Sequence, residues 1–246
     1  MKTIALYNLK GGVGKTTTAV NLAYLAANSR QPTVLWDWDP QAAASWYCGF
    51  EKGDSKALKI ISKGVPVGRL QFASPYPRLT VVPADLSLRK ADLALDDAQG
   101  SRKLLRSLIK PLGENASYVI FDCPPSLSPS MEYLLSAVDL VLVPIIPSPL
   151  SVRATQQLVD FFASQKRSPS NMLGFFNMVD LRRKVHKETL ELTKNIPISM
   201  LNTFVPMDSA AEKMAEERKP LTSYANDGRA YRAYCGLWSE LQHHLF

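Results

Sequence analysis

The sequence predicts an α/β fold in which a mostly parallel, twisted sheet carries helices on both faces. Apolar runs of strand length alternate with runs whose apolar residues recur at helical spacing. The strand-like runs are apolar on both of their faces, as buried parallel strands are. A glycine-rich turn joins the first predicted strand to the first predicted helix.

The predicted elements follow one another along the whole chain of 246 residues. We predict strands at residues 3–7, 33–37, 79–83, 118–122, 140–145 and 173–178, with a short strand near 198–204. We predict helices at residues 15–27, 86–95, 102–109, 130–136, 151–164, 183–194, 209–217 and 229–245. Residues 49–78 are rich in glycine and proline and predict a surface excursion. No repeat or linker divides these elements, so one domain, 1–246, is expected.

The turn after the first strand, residues 8–18, reads Asn-Leu-Lys-Gly-Gly-Val-Gly-Lys-Thr-Thr-Thr. Glycines let backbone N–H groups turn inward around an anion, and the following helix N-terminus adds partial positive charge. Such a turn predicts a phosphate cradle, in which Lys15 contacts the β- and γ-phosphates and the Thr16 hydroxyl ligates magnesium. The P-loop pattern expects its first glycine at position 9, where this chain has Leu9, and Lys10 is an additional cation.

The second predicted strand ends in two carboxylates, Asp37 and Asp39, which Pro40 and Gln41 follow. Open α/β sheets bind ligands at the carboxyl edge of their strands. Both side chains project to the same side of an extended strand because they are two residues apart. A structural alternative makes Asp39 the N-cap of a helix whose first residue is Pro40, and both roles can hold at once.

The predicted strand at residues 118–122 is apolar and ends in Asp122, before Cys123, two prolines and Ser126. A carboxylate there can hold a magnesium-bound water beside bound phosphates. An aspartate at a strand end is common by itself. This aspartate indicates a nucleotide site only because three motifs follow one another along the chain: the glycine turn, then Asp-x-Asp-Pro-Gln, then Asp-x-Pro-Pro-Ser.

These three motifs resemble those of the ParA/MinD family of ATPases, whose deviant Walker A motif reads Lys-Gly-Gly-Val-Gly-Lys-Thr-Thr. The resemblance implies a P-loop NTPase fold, ATP and Mg²⁺ as cofactors, and slow, partner-stimulated hydrolysis of ATP. It implies that the nucleotide is bound by Lys10, Gly11, Gly12, Val13, Gly14, Lys15, Thr16 and Thr17. Lys10 would reach across an ATP-sandwich homodimer to the phosphates that the partner subunit binds. The plain alternative is that Lys10 is a solvated loop charge.

Roles for the remaining site residues also follow from the resemblance. Asp39 would position and polarise the attacking water, so the catalytic residues are expected to be Lys10, Lys15 and Asp39. Thr16, Asp37 and Asp122 would hold or organise magnesium. The segment Pro124-Pro125-Ser126 matches the family's switch II, whose backbone would sense the γ-phosphate. Asn177 and Pro206 fall where the family contacts the base, although an asparagine at a strand end is as often a turn former.

The formal charge is +7, and residues 51–110 hold 12 Lys/Arg against 6 Asp/Glu. Such an excess favours a polyanionic partner, or it is simply a solvated surface. The family's arginine-rich stretch is missing late in the chain, where the candidates for nonspecific DNA contacts are Arg218, Lys219, Arg229 and Arg232. The final segment, 230–246, has one basic residue besides its histidines, so it predicts a core-packing helix and argues against membrane binding.

These observations favour a ParA-type partition or positioning ATPase that uses nonspecific DNA and is activated by a ParB-like or adaptor protein. A MinD-like membrane-associated ATPase is one alternative. A metabolic or metallochaperone ATPase is another, which paired cysteines would favour and the scattered Cys48, Cys123 and Cys235 do not. The first strand begins at the N-terminus and no apolar run has membrane-spanning length, so a cytoplasmic protein is expected. The resemblance to ParA-type ATPases implies that it is associated with the nucleoid.

Overall fold

The computed structural model describes residues 1–51, 67–90, 101–164 and 171–245. Its centre is an eight-stranded sheet with strand order β3-β4-β2-β5-β1-β6-β7-β8. The strands are β1 (Lys2–Leu6), β2 (Thr33–Asp37), β3 (Phe72–Ala73), β4 (Leu79–Val82), β5 (Tyr118–Asp122), β6 (Leu140–Ile145), β7 (Met172–Phe176) and β8 (Ser199–Met200). Neighbouring strands are parallel except for β3 with β4, so the mostly parallel sheet is confirmed.

The α-helices of the described ranges are α1 (Lys15–Asn28), α2 (Ala43–Tyr47), α3 (Ser101–Ile109), α4 (Pro129–Ala137), α5 (Pro149–Ser164), α6 (Lys184–Glu191), α7 (Ser209–Glu212), α8 (Met214–Glu217) and α9 (Arg229–Leu245). Short 3-10 helices lie at Val67–Leu70, Leu86–Lys90, Lys110–Glu114, Thr193–Asn195 and Leu221–Ser223. Among the residues that the structure describes, no helix is both long and apolar enough to cross a membrane.

The core lies on both faces of the sheet because side chains alternate along each buried strand. Ile4 and Leu6 of β1 pack in one cluster with buried residues of α1 and α9. Ala5 and Tyr7 pack in a second cluster with buried residues of α3, α4 and α5. The prediction of helices on both faces is therefore confirmed.

The strand register brings the predicted motifs to one edge of the sheet. β5 lies between β1 and β2, with Asp122 opposite Leu6 on one side and Asp37 on the other. Since these strands are parallel, their carboxyl ends meet where β1 passes into the glycine turn. The two carboxylates and the cradle are therefore neighbours, although about 85 residues separate Asp37 from Asp122 in the sequence.

Several predicted boundaries are wrong. The strand near 198–204 is only β8, because Glu240 of α9 accepts hydrogen bonds from the backbone N–H groups of Asn202 and Thr203, at 2.7 and 2.9 Å. The helix at 209–217 is divided into α7 and α8, and the helix at 183–194 ends at Glu191. Within 86–95 the structure has a 3-10 helix at Leu86–Lys90, while 91–95 lie outside the described residues.

The stretch 49–78 is only partly described, because residues 52–66 lie outside the described ranges. Its described part contributes the two-residue edge strand β3, which pairs antiparallel with β4. Neither β3 nor the five-residue α2 was predicted. Elements this short do not contain enough residues to show the two-residue alternation of a strand or the 3.6-residue repeat of a helix.

Candidate nucleotide site

The glycine turn leaves the N-terminus of α1 open to an anion. Gly12 and Gly14 have φ of 71° and 86°, in the left-handed region that glycine adopts without strain. Gly14 is the N-cap of α1 and offers no side chain to its first N–H groups, and the first turn has no acidic residue. Backbone donors and the helix dipole at this end are therefore available to a phosphate.

Asn177, at the end of β7, clamps the glycine turn. Its side-chain amide is buried and donates to the Val13 carbonyl oxygen at 2.7 Å. A Cβ placed on Gly14 would lie 2.3 Å from Asn177 Nδ2 and 3.3 Å from Met178 Cε. One amide N–H of Asn177 thus holds the glycine turn. The contact of Asn177 with a nucleotide base stays a prediction, and the other atoms of its amide would make that contact.

Gly14→Ala is expected to lower the free energy of unfolding of the nucleotide-free protein by about 1–3 kcal/mol or more. A positive φ strains any L side chain, and the added methyl group collides with the Asn177 amide. Gly11→Ala is the matched control, because a Cβ there meets nothing within 4 Å and its φ is not positive. Urea unfolding measures both. Equal losses in the two variants would contradict this description of the loop.

The two lysines of the motif point in different directions. Lys15 is 7% exposed and its Nζ donates to the carbonyl oxygens of Asn8 and Lys10, at 3.2 and 3.1 Å. Burial lowers the pKa of Lys15, and the nearby Asp122 acts in the opposite direction. Lys10 is half-buried, and its Nζ donates to Ser151 Oγ at 3.3 Å, at the start of α5. Lys15 therefore lies inside the cradle, whereas the Lys10 ammonium contacts the start of α5.

Asp37 and Asp122 are fully buried neighbours at the ends of β2 and β5. Asp37 accepts hydrogen bonds from the backbone and hydroxyl of Ser45 and from the Asp39 backbone, at 2.8, 2.7 and 3.1 Å. Burial raises the pKa of Asp37 to about 7 despite these bonds. Within the described ranges, neither carboxylate oxygen of Asp122 has a hydrogen-bond partner.

The surroundings of Asp122 fit a hard cation. Burial and then Asp37 raise its pKa well above the usual range, against a smaller lowering by the Thr16 hydroxyl and the Lys15 ammonium. Two buried carboxylates repel one another, and the single Lys15 ammonium does not offset their burial, so a divalent cation with oxygen ligands would stabilise them. The Thr16 hydroxyl lies near Asp122, which is the neighbour of Asp37. Their binding of magnesium stays a prediction, and Mg²⁺ would retain several waters there.

Asp39 stands apart from this buried pair because it is partly exposed. Its Oδ1 accepts the Gln41 N–H at 2.9 Å, and its backbone oxygen accepts the Ala42 N–H at 2.8 Å. These bonds close a turn, and α2 begins only at Ala43. The expectation that Pro40 is the first residue of a helix capped by Asp39 is therefore wrong.

Ser45 is a site residue that the sequence analysis missed. Its hydroxyl donates to Asp37 at 2.7 Å and accepts the Ala84 N–H at 3.0 Å, so it joins the end of β2 to the segment after β4. In the sequence, Ser45 is marked only by its place four residues after Gln41. Its surroundings do not distinguish it from any other serine.

Ser45→Ala is expected to lower the free energy of unfolding by about 1–3 kcal/mol, because it removes one of the three hydrogen bonds to the buried Asp37 and leaves the Ala84 N–H without its partner. Ser164→Ala is the control, since its exposed hydroxyl donates to the Phe161 carbonyl oxygen of its own helix. Urea denaturation of both variants checks the difference. An unchanged midpoint for Ser45→Ala would remove its supporting role.

A cavity of about 270 Å³ lies beside the cradle. Its lining includes Thr17, Asn177, Pro206 and Tyr234. The Pro206 loop is fixed beside β7 by backbone bonds from Val205 to Phe176 and from Met207 to Val179, both 2.9 Å. The structure therefore brings both residues predicted to contact the base to one cavity next to the glycine turn.

The predicted DNA-contacting residues differ in their surroundings. The Arg218 guanidinium lies 3.6 Å over the Trp46 ring and 3.5 Å from Glu51, while Lys219 Nζ is 3.8 Å from Glu217. Arg229 and Arg232 are exposed on α9. Arg218 is therefore already engaged within the chain, and the two α9 arginines are the more accessible pair.

A glycine cradle at a helix N-terminus, a buried lysine within it and adjoining strand-end carboxylates on a parallel sheet define a P-loop nucleotide-binding protein. The family model AAA_31, described as an AAA domain, matches residues 1–174, and the chain belongs to this family. It is 29% identical to the chromosome partitioning protein ParA of Myxococcus xanthus, over 97% of this chain and 87% of that protein. It is 28% identical to the sporulation initiation inhibitor protein Soj of Bacillus subtilis, over 98% of each.

Solved structures agree with the fold. The apo McdA structure from Cyanothece superimposes with a TM-score of 0.84 at 21% identity, covering 98% of this chain and 99% of that one. The cell division ATPase MinD of Pyrococcus furiosus superimposes with a TM-score of 0.80 at 19% identity, covering 98% of both chains. The predicted P-loop fold and the resemblance to the ParA/MinD family are thereby confirmed.

Proposed function

We propose that this protein is a ParA-like ATPase that binds ATP with Mg²⁺, forms an ATP-sandwich homodimer and hydrolyses ATP to partition or position a DNA or protein cargo. The observation that carries the proposal is the division of labour between the two lysines. Lys15 is buried inside its own cradle, whereas Lys10 projects from the same loop toward Ser151. Because the Lys10 ammonium lies outside the cradle of its own subunit, it is available to the cradle of a partner subunit.

Thr16, Asp37 and Asp122 would hold the magnesium, which when bound neutralises charge on the phosphates. Lys15 would contact the β- and γ-phosphates. Asp39 is the carboxylate left to orient the attacking water, because it is partly exposed whereas Asp37 is buried and bonded to Ser45. Asn177 keeps the turn in its binding shape by holding Val13.

Nucleotide binding and assembly would be linked through Lys10. In the dimer its ammonium would leave Ser151 and make a charge-assisted bond to the partner's γ-phosphate. Hydrolysis removes that phosphate and weakens the dimer, so the nucleotide would act as a timer. A ParB-like or adaptor protein carried by the cargo would stimulate the step.

Nonspecific DNA is the proposed matrix, and the exposed Arg229 and Arg232 of α9 support it. Dimerisation doubles the number of basic side chains in one unit, so DNA affinity would depend on ATP. The same helix buries Tyr234, Leu237, Trp238 and Leu241 against the sheet, which counts against its use as a membrane anchor.

Co-sedimentation with DNA across a salt series tests the matrix. We expect association with ATP but not with ADP, and an affinity that falls steeply between about 50 and 200 mM salt, because each neutralised phosphate releases counter-ions. Arg229→Ala combined with Arg232→Ala should weaken binding and reduce the salt slope. ATP-dependent binding to anionic liposomes in place of DNA would instead favour a MinD-like function.

A further inference from the structure

Tyr7 connects the strand that carries the cradle to the loop after β5. Its ring is fully buried in the core cluster beneath α3, α4 and α5. Its backbone N–H donates to the Leu142 oxygen at 3.0 Å, which fixes it at the sheet edge. Its hydroxyl donates to the Ser126 carbonyl oxygen at 2.8 Å, 119 residues away in the sequence. A buried phenol thus holds one point of the predicted switch II.

The loop that Tyr7 holds has few anchors of its own. Pro124 and Pro125 have no N–H to donate, and both Ser126 and Leu127 are exposed. The next fixed point is Ser128, whose hydroxyl caps α4 by accepting the Met131 N–H at 3.5 Å. Between the end of β5 at Asp122 and this cap, the Tyr7 hydroxyl is therefore a substantial restraint on the backbone.

The bond to Ser126 also orients the next backbone donor. No peptide bond in the described residues is cis, so the carbonyl of Ser126 and the N–H of Leu127 point in opposite directions. With the carbonyl held toward the buried phenol, the Leu127 N–H is directed away from the core. It is the second backbone donor after the diproline, and it directly follows the segment that resembles switch II, whose backbone would sense the terminal phosphate.

The cradle is joined to the same strand end. Asn8, the next residue, accepts the Lys15 Nζ hydrogen bond through its backbone oxygen and holds the Pro144 oxygen with its side chain, at 3.2 and 2.8 Å. Two consecutive residues therefore hold the two groups: Tyr7 bonds the Ser126 oxygen, and Asn8 bonds the Lys15 ammonium. The end of β1 thus links the cradle lysine to the loop after β5.

We propose that Tyr7 is a positioning residue for switch II, whose hydroxyl directs the Leu127 N–H toward the terminal phosphate of ATP. The inference rests on the proposed ATPase function. It assigns to this side chain the ability to distinguish ATP from ADP, without any contact between Tyr7 and the nucleotide.

The test compares Tyr7→Phe, which keeps the ring and removes the hydroxyl, with Tyr224→Phe. The control removes a similar tyrosine-to-carbonyl bond, from Tyr224 to the Ala210 oxygen at 2.6 Å, which lies outside switch II. For both variants one measures ATP and ADP affinity, kcat and KM for ATP, and amide hydrogen exchange of residues 123–128 with each nucleotide. Urea unfolding verifies that the variants are folded.

For Tyr7→Phe we expect unchanged ADP affinity, and a loss of about 3- to 10-fold in both kcat and the preference for ATP over ADP, the range that one hydrogen bond supports. The ATP-induced protection of the Leu127 amide should disappear, and Tyr224→Phe should match the wild type in all of these. Wild-type discrimination in Tyr7→Phe, or an equal loss of ATP and ADP affinity, would overturn the inference. A wild type that binds no ATP would instead remove the proposed function, and the inference with it.

Discussion

The Asp39→Ala variant is expected to bind ATP and to dimerise, but to hydrolyse ATP about 10²- to 10⁴-fold more slowly than the wild type, the usual contribution of a positioned general base. Asp39 is the member of the carboxylate group that is partly exposed and keeps an oxygen free of the Gln41 turn. Its removal should leave the buried Asp37 and Asp122 in place, because they make their contacts without its side chain.

Phosphate release under saturating ATP measures the rate, and sedimentation in the same buffer measures the mass. Asp85→Ala is a suitable control, because Asp85 closes a similar turn by accepting the Ser87 N–H at 2.7 Å. Normal turnover in Asp39→Ala would exclude Asp39 from the chemical step and leave the attacking water without an assigned partner.

The Lys10→Ala variant is expected to retain ATP affinity within a few-fold and to remain a monomer of 27.3 kDa with ATP. A two-fold dimer would lose two charge-assisted contacts at once, so its dissociation constant should rise at least about 100-fold. The affinity should survive because Lys15 and the glycine turn are formed without the Lys10 side chain. Lys15 contacts Lys10 through its backbone oxygen, which alanine keeps.

This comparison is sharpest in an Asp39→Ala background, where ATP is not consumed during the run. Lys184→Ala serves as the control, since Lys184 is an exposed lysine of α6 that lies 3.6 Å from Glu188. If Lys10→Ala dimerised as readily as the control, Lys10 would be a solvated loop charge after all.

The parts of the site that the sequence predicted are those fixed by local chemistry. A glycine turn before a helix and a carboxylate after a buried strand carry their own signal, and the register of β2, β5 and β1 brings them together. Contacts that depend on packing between distant segments were not predictable. Asn177 bonds Val13 across 164 residues, and Ser45 reaches Ala84 across 39.

Boundary errors in the fold have the same origin. The pattern near 198–204 favours a strand, yet Glu240 of α9 takes up the N–H groups of Asn202 and Thr203, which a sheet neighbour would otherwise use. Arg218, a candidate for DNA contacts in the sequence, is likewise held by a distant residue, because its guanidinium stacks on Trp46. In each case a tertiary partner overrides a local preference.

Mixing two inactive variants tests the central claim most directly. One protomer carries Lys10→Ala with an intact Lys15, and the other carries Lys15→Ala with an intact Lys10. If Lys10 completes the pocket of the opposite protomer, ATPase activity should return on mixing, up to about a quarter of the wild-type rate, since half of randomly paired dimers are mixed and each has one complete pocket. A mixture no more active than its separate components would contradict the account, because it would place Lys10 in the service of its own cradle.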